Sequence, residues 1–337
     1  MTPSTPHDDH YGRWVDAIDV HHHVVPDFYR AVVTGSDGSS PISGIDYPHW
    51  QPDASLEMMA RQGIATAVVS VSTPGVDIGD QPMARRLARQ LNEYLAGLIA
   101  DHPGRFGAFA VLPLPDLEAA LTELTYALDV LGLDGAGVFT NYRGTYLADP
   151  AFDPLLAELD SRGTPVHVHP TTPPFRDQPT FGLPAPLYEF TFETTRLAAQ
   201  LLYNKTLERH QNLRLIFSHG GGTIPYIAER LTYGPVMGSQ LTERLPADPI
   251  GSLQRLHYDL ANSASPYSLP SLRAFAGPAH ILVGTDFPFM PAWSSAGSAS
   301  RVAAAGFDTD DIALIARENA LGLFPRLSET PTSQLRP

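Results

Sequence analysis

The chain has 337 residues, is 43% hydrophobic and 17% charged, and so has the composition of a globular protein with a large core, long enough for one barrel-sized domain or two ordinary ones. A formal charge of −14, with no Lys/Arg cluster to interrupt it, argues against nucleic acid or an anionic membrane as partner, and no apolar stretch approaches the ~20 residues of a membrane span. Cysteine is absent and Lys205 is the sole lysine, which removes disulfides, thiolate nucleophiles and cysteine-based zinc sites and disfavours Schiff-base chemistry, so a metal here must use histidine and carboxylate.

The first expected element is a strand over residues 17–21, an apolar run that leads into His21-His22-His23. Alternation along a strand sends His21 and His23 to one face and His22 to the other, so two imidazoles point at a common place where a divalent metal fits. Residues 26–52, rich in Gly, Ser and Pro and carrying Tyr47, His49 and Trp50, are too long for an ordinary connection and read as a lid or binding loop without regular structure. Further strands are expected at 65–70, 106–111, 135–139, 165–169, 213–218, 257–260 and 279–283, and helices at 83–101, 117–131, 152–161, 192–210, 224–231 and 269–275. A second Pro-rich excursion runs from Thr171 to Pro186. Eight βα-like units predict an α/β fold of the (β/α)8 TIM barrel type rather than an open doubly wound sheet, and neither G-x-G-x-x-G nor a P-loop follows the first strand. The expected organisation is a tail over 1–14, one barrel domain over 15–326 with long loop insertions at its C-terminal face, chiefly 26–52, and a frayed tail over 327–337. The opening residues lack the basic start and apolar core of a signal peptide, which makes the cytoplasm the expected compartment.

Side chains at the C-terminal ends of barrel strands converge on a single site. Polar residues stand at four of these ends: His21 and His23 on the first strand, His167 and His169 on the fifth, His219 on the sixth, and Asp286 on the eighth. Three neutral imidazoles and one carboxylate suit a mononuclear divalent site with a position open for water or substrate. His169 is the better ligand on its strand, because His167 faces the same way one layer deeper, where it could support the site or pack in the core. The glycines that follow His219 allow a tight turn beside the site, a setting for a general acid/base or a further ligand. Asp286 could both ligate the metal and exchange a proton.

Ile18-Asp19-Val20-His21-His22-His23 followed by Pro26, then Val168-His169-Pro170, then Ser218-His219-Gly220-Gly221-Gly222 followed by Pro225-Tyr226, and Gly284-Thr285-Asp286-Phe287-Pro288 resemble, in kind and in order, the signature pieces of the amidohydrolase superfamily. The likeness is to its branch of metal-dependent decarboxylases, which includes α-amino-β-carboxymuconate-ε-semialdehyde decarboxylase and γ-resorcylate decarboxylase. Residues 18–28, 59–64, 72–75 and 190–196 are most similar to 6-methylsalicylate decarboxylase-like proteins. The resemblance implies that His21, His23, His169 and Asp286 bind one divalent ion, zinc with manganese as the alternative, that His219 is the catalytic acid/base, and that the protein is a homodimer. The carboxylated lysine of binuclear members has no counterpart here. Ser55 stands where the aminocarboxymuconate semialdehyde enzyme carries a substrate-binding arginine, a departure that points away from a dicarboxylate muconate and toward a monocarboxylic hydroxybenzoate.

The activity so implied is that of a carboxy-lyase acting without oxygen on an ortho-hydroxy aromatic acid such as 6-methylsalicylate or salicylate. The metal would chelate the substrate's carboxylate and phenolate, Asp286 or His219 would protonate the ipso carbon, and Phe28, Tyr47, Trp50, Phe190 and Phe287 are the candidates to hold the ring. Two other readings use the same residues. One is a hydrolase of a lactone, an amide or a C–C bond, with water activated by the metal and His219; the other is a catalytically silent barrel used as a binding protein.

Overall fold

The computed structural model describes residues 12–34, 39–42, 45–175 and 179–329. Eight parallel strands, Ala17–His23, Ile64–Ser70, Phe106–Val111, Gly135–Phe139, Pro165–His169, Arg214–Phe217, His257–Asp259 and Ile281–Leu282, pair in chain order. The eighth returns to the first through a bridge between Asp19 and Val283 and the hydrogen bond from the Val20 N–H to the Val283 carbonyl, 2.9 Å, which closes the barrel. Strands covered on both faces must be apolar or internally satisfied throughout, and every residue of the first two is buried. The expected (β/α)8 barrel is therefore the observed architecture.

A bulge breaks alternation in the first strand, where the pairing register shifts between Asp19 and His22. Val20 packs with Ile18, Val68 and Phe109, while Asp19 turns with His22 toward the helix Pro52–Gln62. Beyond the bulge, His21 and His23 share a face. Phe324, Leu323 and Leu327 close the base of the barrel from below, with the Phe324 ring edge-on to Phe109 at 5.6 Å.

The helices form the outer layer, and acidic caps start several of them: Asp80, for example, accepts from the Met83 N–H ahead of Gln81–Asp101, and Asp116 from the Ala119 N–H ahead of Leu117–Thr125. The helix expected over 117–131 turns π-helical at Tyr126–Val130, and that expected over 192–210 begins earlier, as Ala185–Tyr203, and breaks where Lys205 takes φ +54° before Thr206–Arg209.

The segment 26–52 is not without regular structure. It contains the helix Asp27–Val33, whose two buried residues, Tyr29 and Val33, are too few to show a period in sequence. Pro52, where the loop is expected to end, is the first residue of Pro52–Gln62, a position that suits its fixed φ. Further helices at Ser298–Ala304, Thr309–Ala313 and Asn319–Leu323 follow the last strand. Trp14 is buried, with its indole N–H 2.8 Å from Ser298 Oγ, and Leu327 is buried in the base, so ordered packing reaches into both segments expected as tails. The remainder of those tails, 1–11 and 330–337, lies outside the described residues. No described helix is long and apolar enough to cross a membrane.

Candidate metal centre

The first strand ends in the barrel mouth with His21 and His23 side by side, their Nε2 atoms 3.1 Å apart. Asp286 Oδ1, from the loop after the eighth strand, lies 3.4 Å from the first and 3.1 Å from the second. His169, from the end of the fifth strand, completes a group whose donor atoms all fall within 4.8 Å of one another. His219 stands beside them, its ring 4.9 Å from that of His21 and 5.6 Å from that of His169. It is the partly exposed histidine of the set; His21, His23 and His169 are buried.

Hydrogen bonds at the outer nitrogens decide which way each imidazole faces chemically. His21 Nδ1 is 2.8 Å from Asp259 Oδ2, His169 Nδ1 is 2.7 Å from the Pro170 carbonyl, and His219 Nδ1 is 3.2 Å from the Ala261 carbonyl. These oxygens only accept, so each Nδ1 carries the hydrogen and each Nε2 offers a lone pair inward. His23 Nδ1 is 3.0 Å from Ser70 Oγ, whose hydroxyl is itself directed at the His22 carbonyl, giving the same sense. Inward lone pairs and a carboxylate oxygen at these separations repel one another unless a cation lies between them. The donor set thus fits a divalent metal held by nitrogen and oxygen.

The electrostatics agree. Burial alone would lower the His21 pKa, yet Asp259 and then Asp286 override it and raise it to about 10, so a proton is drawn to the place where a cation is wanted. Burial, as the largest cause, and neighbouring imidazoles lower His23, His169 and His219. Burial opposes ionisation of Asp259 and Asp286, but the adjoining histidines outweigh it and hold both carboxyls below the usual range.

Three residues here take backbone conformations that L side chains resist: His219 at φ +55°, Asn262 at φ +54° and Asp286 at φ +61°. Each costs roughly 1–2 kcal/mol, and the hydrogen bonds around them hold that strain in place. Asn262 donates to Asp286 Oδ2 at 2.7 Å, leaving Oδ1 to the histidines.

The ring candidates are divided. Phe190 meets His169 edge-on at 6.0 Å. Tyr47 packs against Phe289 at 5.1 Å, and Phe289 in turn against His23 at 5.4 Å. Trp50 is buried with its indole N–H on Ser55 Oγ, Phe287 lies 5.3 Å from His22, and Phe28 packs on Tyr94 at 5.8 Å. Phe139, 6.4 Å from His169, and Phe289, 5.4 Å from His23, border the site although neither is among the ring candidates that the sequence offers. So does Asp259, the last residue of the seventh strand. His167 lies one layer down, stacked on Phe109 at 5.3 Å with Nε2 3.4 Å from Asp259 Oδ2. Glu193 is wholly buried and accepts from Asn141, Tyr146 and Arg196, a structural tie rather than part of the cluster.

Comparison with known proteins gives the cluster its context. A family model described as amidohydrolase matches residues 18–326. The 6-methylsalicylic acid decarboxylase acuB of Aspergillus aculeatus is 38% identical over 320 residues, which cover 92% of this chain and 96% of that protein. The gamma-resorcylate decarboxylase of a Rhizobium species is 30% identical over 253 residues, 70% of this chain and 76% of its own length. The crystal structure of 2,6-dihydroxybenzoate decarboxylase complexed with 2,6-dihydroxybenzoate superposes with a TM-score of 0.75 at 26% identity, covering 93% of this chain and all of that one. The chain belongs to the amidohydrolase family, in the branch whose members are decarboxylases.

Proposed function

We propose that this carboxy-lyase removes CO2 from an ortho-hydroxylated aromatic acid of the 6-methylsalicylate or salicylate kind, without oxygen or an organic cofactor. The observation that carries the reading is the inward convergence of His21, His23 and His169 Nε2 and Asp286 Oδ1, with His219 Nε2 beside them. His21, His23, His169 and Asp286 hold one divalent ion, zinc or manganese. Once bound, that ion supplies the positive charge that anchors the substrate's carboxylate and ortho-oxygen and offsets charge gathering on them.

Direct loss of CO2 would leave an aryl carbanion, so the ipso carbon must be protonated first. His219 keeps its Nδ1–H on the Ala261 carbonyl and turns Nε2 to the open side of the site, where it takes the phenolic proton and returns it to the ipso carbon. Burial lowers its pKa, so the imidazolium, once formed, gives up its proton more readily than an exposed one. Cleavage of the C–C bond then sends its electron pair into the ring, restores aromaticity and releases CO2, and the phenolate regains a proton from solvent. Asp286 is the alternative proton carrier, but its lowered pKa favours the ligand role. Phe190 and Phe289 stand closest to wall the ring.

Incubating the metal-loaded protein with 6-methylsalicylate, salicylate and 2,6-dihydroxybenzoate in D2O should release CO2 and leave one deuterium at the carbon that lost it. Oxygen from labelled water in the organic product would instead mark a hydrolase. Chelation should abolish turnover, with zinc or manganese restoring it. His219→Ala and Asp286→Ala should each cost about 100-fold or more, and unchanged turnover in either removes the role given to that residue. The homodimer rests on the resemblance; light scattering of the purified protein tests it.

A further inference from the structure

His22 faces away from the cluster and is wholly buried, yet both of its nitrogens are engaged. Nδ1 lies 3.0 Å from Asp19 Oδ2, and Nε2 lies 2.7 Å from Ser55 Oγ, which also receives the Trp50 indole N–H at 2.8 Å. A carboxylate only accepts and an indole only donates, so the chain has one sense: Trp50 donates to Ser55, Ser55 to His22, and His22 to Asp19. The outline is that of a Ser-His-Asp triad. With Asp19, His22 and Ser55 all at 0% exposure, however, no substrate reaches the hydroxyl, and the chain cannot act as a nucleophile.

Its inner end touches the ligands. Asp19 Oδ1 accepts from the His21 N–H at 3.1 Å and the Thr285 N–H at 3.2 Å, and Oδ2 accepts from Thr285 Oγ1 at 2.6 Å. Thr285 immediately precedes Asp286, whose own N–H is tied to the His21 carbonyl at 2.8 Å. Asp286 keeps its left-handed backbone only while these bonds over-determine it. The outer end, Trp50, belongs to the same segment as Tyr47, which packs through Phe289 beside His23.

We propose that Trp50, Ser55, His22, Asp19 and Thr285 form a buried positioning relay that holds Asp286 in its strained orientation, so that the cation affinity of the site is set by a hydrogen-bond chain running out to the segment over the barrel mouth. The proposal rests on the metal-site reading above. These are positioning residues, acting through Asp286 and His21. Loss of the Ser55 hydroxyl leaves His22 Nε2 and the Trp50 N–H unpaired in a buried place, which frees His22 to turn and takes from Asp19 Oδ2 one of its two donors. Deleting the Thr285 hydroxyl breaks the chain at the other end.

The test measures zinc retention against a chromophoric chelator, the visible bands of the cobalt-loaded protein, and thermal unfolding of the metal-free protein. Ser55→Ala and Thr285→Val should each release zinc about tenfold or more readily and shift the cobalt bands, while Thr285→Ser, which keeps the hydroxyl, should behave as wild type and Trp50→Phe should show a smaller loss of the same sign. Zinc retention and cobalt bands unchanged in folded Ser55→Ala and Thr285→Val would overturn the relay, leaving it a packing feature. If Ser55→Ala does not fold, the Thr285→Val and Thr285→Ser pair decides alone. A wild-type protein that binds neither zinc nor cobalt stoichiometrically would overturn the metal site itself, and the relay with it.

Discussion

Asp259 serves four groups at once. Oδ2 takes His21 Nδ1 at 2.8 Å and His167 Nε2 at 3.4 Å, and Oδ1 takes the His219 and Ala261 N–H groups, each at 3.0 Å. It fixes the tautomer of one candidate ligand and the backbone of the candidate acid/base. Asp259→Asn keeps the shape and loses the charge; metal affinity, read by chelator competition, should fall about 10- to 100-fold. In the sequence Asp259 lies inside the strand expected over 257–260, between Tyr258 and Leu260, so nothing marked it as the support of a site built from other strands. A second residue-scale prediction concerns His257, at the opposite end of the same strand. Burial, the nearby His280 and Arg214 lower its pKa to about 4. The unfolded chain therefore binds a proton that the folded one refuses between about pH 6.5 and pH 4. Stability contributed by neutral His257 is complete above that window and falls with pH by about 1.4 kcal/mol per unit inside it. Urea unfolding at pH 7 and pH 5 should show a smaller drop in His257→Gln than in wild type; equal drops would discount this histidine.

At the scale of elements, the turn after the sixth strand shows why local chemistry was readable. Gly220, Gly221 and Gly222 all have positive φ, and a Cβ would come within 2.6 Å of the Tyr258 ring at Gly221 and 2.2 Å of the Thr191 carbonyl oxygen at Gly222. Gly222→Ala meets both backbone strain and a clash with main chain that cannot rotate away. It should destabilise by more than ~1 kcal/mol and displace His219, so that turnover falls along with the melting temperature. A variant as stable and active as wild type would mean that the loop repacks freely. The three glycines could be read directly because they must satisfy their own backbone. The bulge in the first strand could not, since it arises from pairing with the second and eighth strands, which the residues of the first strand alone do not record.

For the whole molecule, closure of the barrel base is the feature least visible in sequence. Leu327 lies in what reads as a polar, Pro-containing tail, yet it is 1% exposed and packs with Leu323 and Phe324 beneath Ile18, Val20 and Phe109. Leu327→Ala should cost about 2–5 kcal/mol, the range for emptying a well-packed leucine site, and lower the melting temperature without changing KM, because the base is remote from the mouth. A KM that moved with stability would argue that base and mouth are coupled.

Taken alone, the sequence determined the order of eight strands, the barrel class, and the histidines and aspartate at the strand ends, because each depends on local pattern: apolar runs between helical stretches, and polar residues where a run stops. Only the tertiary structure decided which nitrogens face inward, that Asp259 anchors two strands, that His22 belongs to a relay through Ser55 and Trp50, and which aromatic rings border the cluster. Those features join residues up to 266 positions apart, as Asp19 and Thr285 are, and no periodicity within one segment encodes a partner supplied by another.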